Sequence, residues 1–209
     1  MNTKKGFTRQ NFSKKNLVGF TLLELLIVIG ILAILSTTIV LVINPAELLR
    51  KARDSQRISD LNTLKTAIAY YITETTSPSI GTTNNTFSDV ATASCFGAAS
   101  GTQTLVTDGT GWIPINFDGM TGGSPIGSLP TDPNKTAVGD TPGRYYVYGV
   151  QSATDYTFKL VANMESSYYG GGAGDVEATD GGTEATLYEV GTDMTTPIAT
   201  GTDTCYKSS

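Results

Sequence analysis

From Phe20 to Ile43 the chain is apolar except for Glu24 and a few hydroxyl residues, and no other stretch limits its fold as strongly. At 1.5 Å per residue, a helix of that length spans about 36 Å, enough to cross a bilayer. Glu24 is the exception within it. An acidic residue at the centre of a membrane helix costs about 2.5–3.5 kcal/mol, whereas one near the end reaches the headgroups at lower cost. A secretory signal peptide is the competing reading of such a run. Its apolar region is usually about 7–15 residues and ends at a small-residue cleavage site. Here the run is longer, no clear A-x-A motif stands at its end, and the small residue Gly19 stands before it.

Charge is divided about this run. Residues 1–19 hold Lys4, Lys5, Arg9, Lys14 and Lys15 and no acid, while the remaining chain holds nine basic and nineteen acidic residues. The basic leader favours a cytoplasmic N-terminus, although Arg50, Lys51, Arg53 and Arg57 lie on the far side. The acidic body argues against nucleic-acid binding as the main task. Histidine is absent from the 209 residues. That removes histidine-based general acid/base chemistry, His-dependent nucleophiles and His-ligated metals. There is no P-loop and no G-x-S-x-G, so an enzyme is not expected. The two cysteines, Cys95 and Cys205, suggest one disulfide in an oxidising, extracytoplasmic space, with two buried thiols as the alternative. A bridge there closes a loop worth at most roughly 4–5 kcal/mol.

After Pro45 the pattern stays helical. Ile58, Leu61, Leu64, Ile68 and Tyr71 recur at spacings of three and four. Residues 50–57 are almost wholly polar and read as a solvated neck, where an Asp54–Arg57 pair would add little. Pro45 reads as a kink, so that residues 20–72 form one rod of about 80 Å. The amphipathic half ends near residue 76. Residues 77–143 are rich in Gly, Ser, Thr, Asn and Pro and read as irregular, with Gly111-Trp112-Ile113-Pro114-Ile115 as a short strand or an anchor on the core. Residues 144–209 carry the strands. Residues 144–151 and 157–165 suggest an antiparallel hairpin, and residues 185–191 a third strand. Three strands need a cover, and the amphipathic helix half is the large candidate. The fold class expected is α+β.

A basic leader followed by Gly19-Phe20-Thr21-Leu22-Leu23-Glu24 and a long apolar helix resembles the type IV pilin and pseudopilin family. Leu129-Pro130-Thr131-Asp132-Pro133, then Tyr145-Tyr146-Val147-Tyr148, resembles the L-P-x-D-P and Y-x-Y pattern of major pseudopilins of type II secretion. The resemblance implies a pilin fold: a long N-terminal helix, half transmembrane and half amphipathic, packed on a small antiparallel sheet. It implies cleavage between Gly19 and Phe20 by a prepilin peptidase, N-methylation of Phe20, and Glu24 as the fifth residue of the mature chain. In assembly, Glu24 would meet the Phe20 amine of a neighbour and set register.

The implied partners are copies of the chain and other pilins in a helical filament, the peptidase, an assembly ATPase, an inner-membrane platform protein, and membrane lipid before assembly. The implied location is the cytoplasmic membrane, crossed once, and then an extracytoplasmic filament. The alternative is a single-pass, membrane-anchored module binding sugar or calcium. No cofactor is expected. Calcium is the one ion left open, because the major pseudopilins that the chain resembles often bind it in the C-terminal loop; here Asp175, Glu177, Asp180 and Glu184 could supply hard oxygens, though their spacing matches no EF-hand and a solvated acidic loop is the plainer reading. Asn84 and Asn134 begin N-x-T sequences, which are weak signals for glycosylation.

Overall fold

The computed structural model describes residues 19–90, 104–135 and 143–195, with the side chains of residues 40–42 excepted. It divides into two units, residues 1–44 and 45–209. The layout is mixed α+β, with an apolar N-terminal helix, a second helix and a small antiparallel sheet.

Helix α1, Leu22–Ile43, is apolar on all sides. Its described hydrophobic side chains are exposed, with Ile27 at 51% and Ile34 at 69%. A helix without a polar face has no water-facing side, so it calls for lipid or protein around it. Its own polar groups are already satisfied. Ser36 Oγ donates to the Leu32 carbonyl at 2.6 Å, and Thr37 and Thr38 donate to Ile34 at 2.8 and 3.0 Å. Such back-bonding hides hydroxyls from an apolar surround. By length and composition α1 fits a membrane span or a signal sequence.

The unbroken helix expected over residues 20–72 is interrupted at Asn44. Asn44 adopts the left-handed conformation, at φ 44° and ψ 78°, and caps α1. Helix α2, Pro45–Glu74, then begins on the proline. The physical reason is local. Proline disfavours helical geometry in the residue before it and offers no N–H to continue the ladder, yet suits the first position of a new helix.

Within the second unit, α2 buries Asp54, Arg57, Leu61, Leu64, Ala67, Ile68 and Tyr71 along one face. That face packs on strands β3 and β4. The sheet comprises β1 (Asn85–Ser88), β2 (Val147–Ser152), β3 (Thr157–Ala162) and β4 (Tyr188–Gly191), in that spatial order and antiparallel throughout. The expected hairpin is β2–β3, with Tyr148 opposite Leu160 and an irregularity between Val150 and Ser152. The third expected strand is β4. Strand β1 falls inside a stretch whose composition reads as loop. It pairs because Phe87 lies opposite Tyr148, and the two rings stack at 6.1 Å.

Alternation sets the two sheet faces. Phe158, Leu160 and Ala162 join Tyr148, Val150, Tyr188 and Val190 in the core under α2. Lys159, Val161 and Glu189 take the opposite side. The segment around Trp112 is an anchor and not a regular strand. Trp112, Ile113, Ile115 and Phe117 are fully buried, and the Trp112 Nε1–H donates to the Pro130 carbonyl at 3.0 Å. Gly111 is required there, because a Cβ would lie 2.2 Å from the Val106 carbonyl oxygen.

Candidate functional site

The first candidate site is the start of α1. Thr21 is its N-cap and Glu24 its N3 residue, and together they form a capping box. The Glu24 N–H donates to Thr21 Oγ1 at 3.2 Å. Glu24 Oε2 accepts from the Thr21 N–H at 3.3 Å and from its hydroxyl at 3.2 Å. The carboxylate therefore answers donors that any helix start leaves open, and its charge suits the positive end of the helix dipole. Gly19 has open space where a Cβ would stand. Phe20 is 80% exposed. Among the described residues, neither is held by packing. Cys95 and Cys205 both lie outside the described residues.

The second site is a charge network at the N-terminal end of α2. Residues 50–57 are not a solvated neck, because Asp54 and Arg57 are wholly buried. Arg57 donates from Nε and Nη2 to the two oxygens of Asp132, each at 2.7 Å. Its Nη1 donates to Asp54 at 2.7 Å, and Nη2 also reaches Glu165 at 2.5 Å. Arg53 adds a two-pronged contact to Glu165 at 3.0 and 2.6 Å. Asp54 in turn accepts the N–H groups of Glu165 and Ser166 at 2.9 and 2.7 Å.

The L-P-x-D-P and tyrosine residues converge on the same place. Asp89 accepts from the Asp132 N–H and the Thr131 hydroxyl through one oxygen, and from the Tyr146 N–H through the other. The Tyr146 hydroxyl donates to Asp60 at 2.9 Å. Asn134 is engaged as well, donating its backbone N–H to Asp132 and its side-chain amide to Glu165.

Burial opposes charge throughout this cluster, but the pairing overrides it for the central groups. Burial alone would raise the Glu165 carboxyl, yet the hydrogen bonds from Arg53 and Arg57 hold it down to about 2. Burial would lower the Arg57 guanidinium, and its bonds to Asp132 and Glu165 instead push it above the ordinary arginine value. The donors and carboxylates answer each other. Chemically this is a clasp joining α2, the proline turn and the segment after β3.

A smaller ion pair lies on the other sheet face. Lys159 Nζ donates to Glu189 Oε1 at 3.0 Å, with both side chains buried. The acidic C-terminal loop is also spoken for. Asp175 accepts the N–H groups of Glu177 and Ala178, and Asp180 accepts those of Gly182 and Glu189. Glu177 accepts the Met164 N–H at 2.9 Å, and burial pushes its carboxyl up to about 7. Among the described residues, no group of three or more carboxylates is gathered as a metal cage.

Sequence reasoning singled out Thr21 to Glu24, the proline turn and the tyrosines but missed Asp54, Arg57, Asp89 and Glu165 as one cluster. A signal for two of them was present. Positions 54 and 57 continue the three–four spacing of the buried face at 61, 64, 68 and 71. Comparison with known proteins found no matching family model, no similar curated protein and no similar solved structure.

Proposed function

We propose that the chain is a structural subunit of a type IV pilus or related pseudopilus. It waits in the cytoplasmic membrane, is processed between Gly19 and Phe20, and polymerises through α1 with copies of itself. The observation that carries this reading is a helix of 22 residues, apolar all round and exposed, whose single charge is Glu24 in the first turn. Such a helix exchanges lipid for neighbouring helices without exposing a polar group.

In the precursor, Glu24 is answered by Thr21. Cleavage before Phe20 creates an amino group four residues away, and a neighbouring subunit's amine then competes for the carboxylate. In an apolar bundle an unpaired charge is costly, so each Glu24 favours the register that brings it an amine. The α+β second unit forms the outer body of the subunit. Its buried clasp gives that body a fixed attachment to α2 under mechanical load.

Glu24→Ala tests this reading. The variant protein stays in the membrane fraction, because α1 becomes more apolar, but filament assembly is lost or disordered in electron micrographs. Normal filaments from Glu24→Ala would overturn the register role.

A further inference from the structure

The first two turns of α2 expose Leu48 at 50% and Leu49 at 62%, and the Arg50 side chain is 51% exposed. They are joined by a turn that follows β3. Ser167 Oγ donates to Glu47 at 2.8 Å, and Ser55 Oγ shares a hydrogen bond with the Tyr169 hydroxyl at 3.2 Å. This seating places Tyr168 over the helix. Lys51 Nζ stands 4.4 Å from the centre of its ring, and Tyr169 packs edge-on against it at 4.9 Å. Tyr168 remains 39% exposed. Two leucines, two cations and an amphipathic ring therefore share one end of the second unit.

We propose that Leu48, Leu49, Arg50, Lys51 and Tyr168 form an interfacial collar that seats in the headgroup layer of a membrane containing anionic phospholipid. The inference rests on reading α1 as a membrane span. A single residue, Asn44, separates α1 from α2. Chain connectivity therefore keeps Arg50 within about 15 Å of the end of α1. The headgroup layer begins where the apolar core of about 30 Å ends, and α1 is about 33 Å long.

Tyrosine is enriched at that boundary, and leucine beside arginine and lysine is the composition of helices that lie in it. The cations supply the selectivity, since each Lys or Arg near an anionic surface strengthens binding about fivefold. The nearby acids do not cancel them fully. Asp54, Asp132 and Glu165 are buried and answered by Arg53, Arg57 and Arg144, which leaves Glu47 as the acid beside Arg50.

The test reconstitutes the full chain into vesicles of phosphatidylcholine, with or without phosphatidylglycerol. A tryptophan is added by Leu49→Trp, and its quenching by lipids brominated near the headgroup is read against the constant signal of buried Trp112. Quenching should be stronger with phosphatidylglycerol, and Arg50→Gln with Lys51→Gln should abolish that difference. Equal quenching in both vesicles would overturn the recognition of anionic lipid. A blue shift at position 49 that grows with protein density, without quenching, would assign the patch to a second copy instead. A parallel Leu32→Trp variant reports on the span itself. Quenching at 32 by deeply brominated lipid but none at 49 rejects the collar alone. No quenching at either position rejects the span and the collar together.

Discussion

Arg57 grips both oxygens of Asp132 at 2.7 Å, although the two residues stand 75 positions apart. One is on the polar-looking start of α2 and the other in a proline turn. Their contact ties the start of α2 to the middle of the chain within the second unit. A two-pronged guanidinium–carboxylate contact also fixes direction, which a lysine would not.

Arg57→Met should therefore be severe. It leaves Asp54, Asp132 and Glu165 buried with their main cation gone, a loss of about 3–5 kcal/mol. Thermal unfolding in detergent, followed by circular dichroism, checks this. Arg57→Lys should recover only part of the loss. A melting point unchanged in Arg57→Met would contradict the clasp.

The pair on the opposite sheet face makes a different prediction. Lys159→Met strands the Glu189 carboxylate and should cost about 3 kcal/mol or more. Lys159→Met combined with Glu189→Leu removes both charges and should regain much of that loss. Urea unfolding of the single and double variants measures the coupling.

Two glutamates set opposing pH responses. Glu165 is held at about 2, below its ordinary 4.5, so its contribution is complete above pH 4.5 and is lost as pH falls toward 2. Glu177 is raised to about 7, so the folded chain holds a proton there that the unfolded chain has released. Its contribution is complete below pH 4.5 and is lost as pH rises through 7. Asp60, Asp89 and Asp180 are displaced in the same direction as Glu177 by burial. Stability should thus be greatest in mildly acidic solution. Glu177→Gln should flatten the decline between pH 4.5 and 7 in a series of melting curves.

Glycines at two positions separate packing from processing. Gly111→Ala forces a Cβ against the Val106 carbonyl oxygen and should lower the melting point. Gly19→Ala meets open space and should leave it unchanged, yet keep the precursor uncut. A mature-size band from Gly19→Ala on a gel would count against cleavage at that bond.

How much of this was legible in the sequence follows from where the signals are local. The apolar run and its early glutamate announce α1, because composition alone decides whether a helix suits water. Phe158, Leu160 and Ala162 reveal β3 by alternation. Break and clasp were harder. Asn44 enters the left-handed region at a junction where Pro45 reads equally well as a kink. Arg57 looked solvated because its partners, Asp132 and Glu165, come from distant segments, and only tertiary contact cancels its charge. Strand β1 was hidden for a related reason: Asn85-Thr86-Phe87-Ser88 has one large apolar residue, and its pairing comes from β2.

The most direct measurement is the mass of the mature N-terminus, taken on protein recovered from membranes and from sheared surface material. The filament-subunit account predicts a chain that begins at Phe20 with one added methyl group on its amine, in both fractions. A membrane protein that retains residues 1–19, or that begins at any residue other than Phe20, would contradict it.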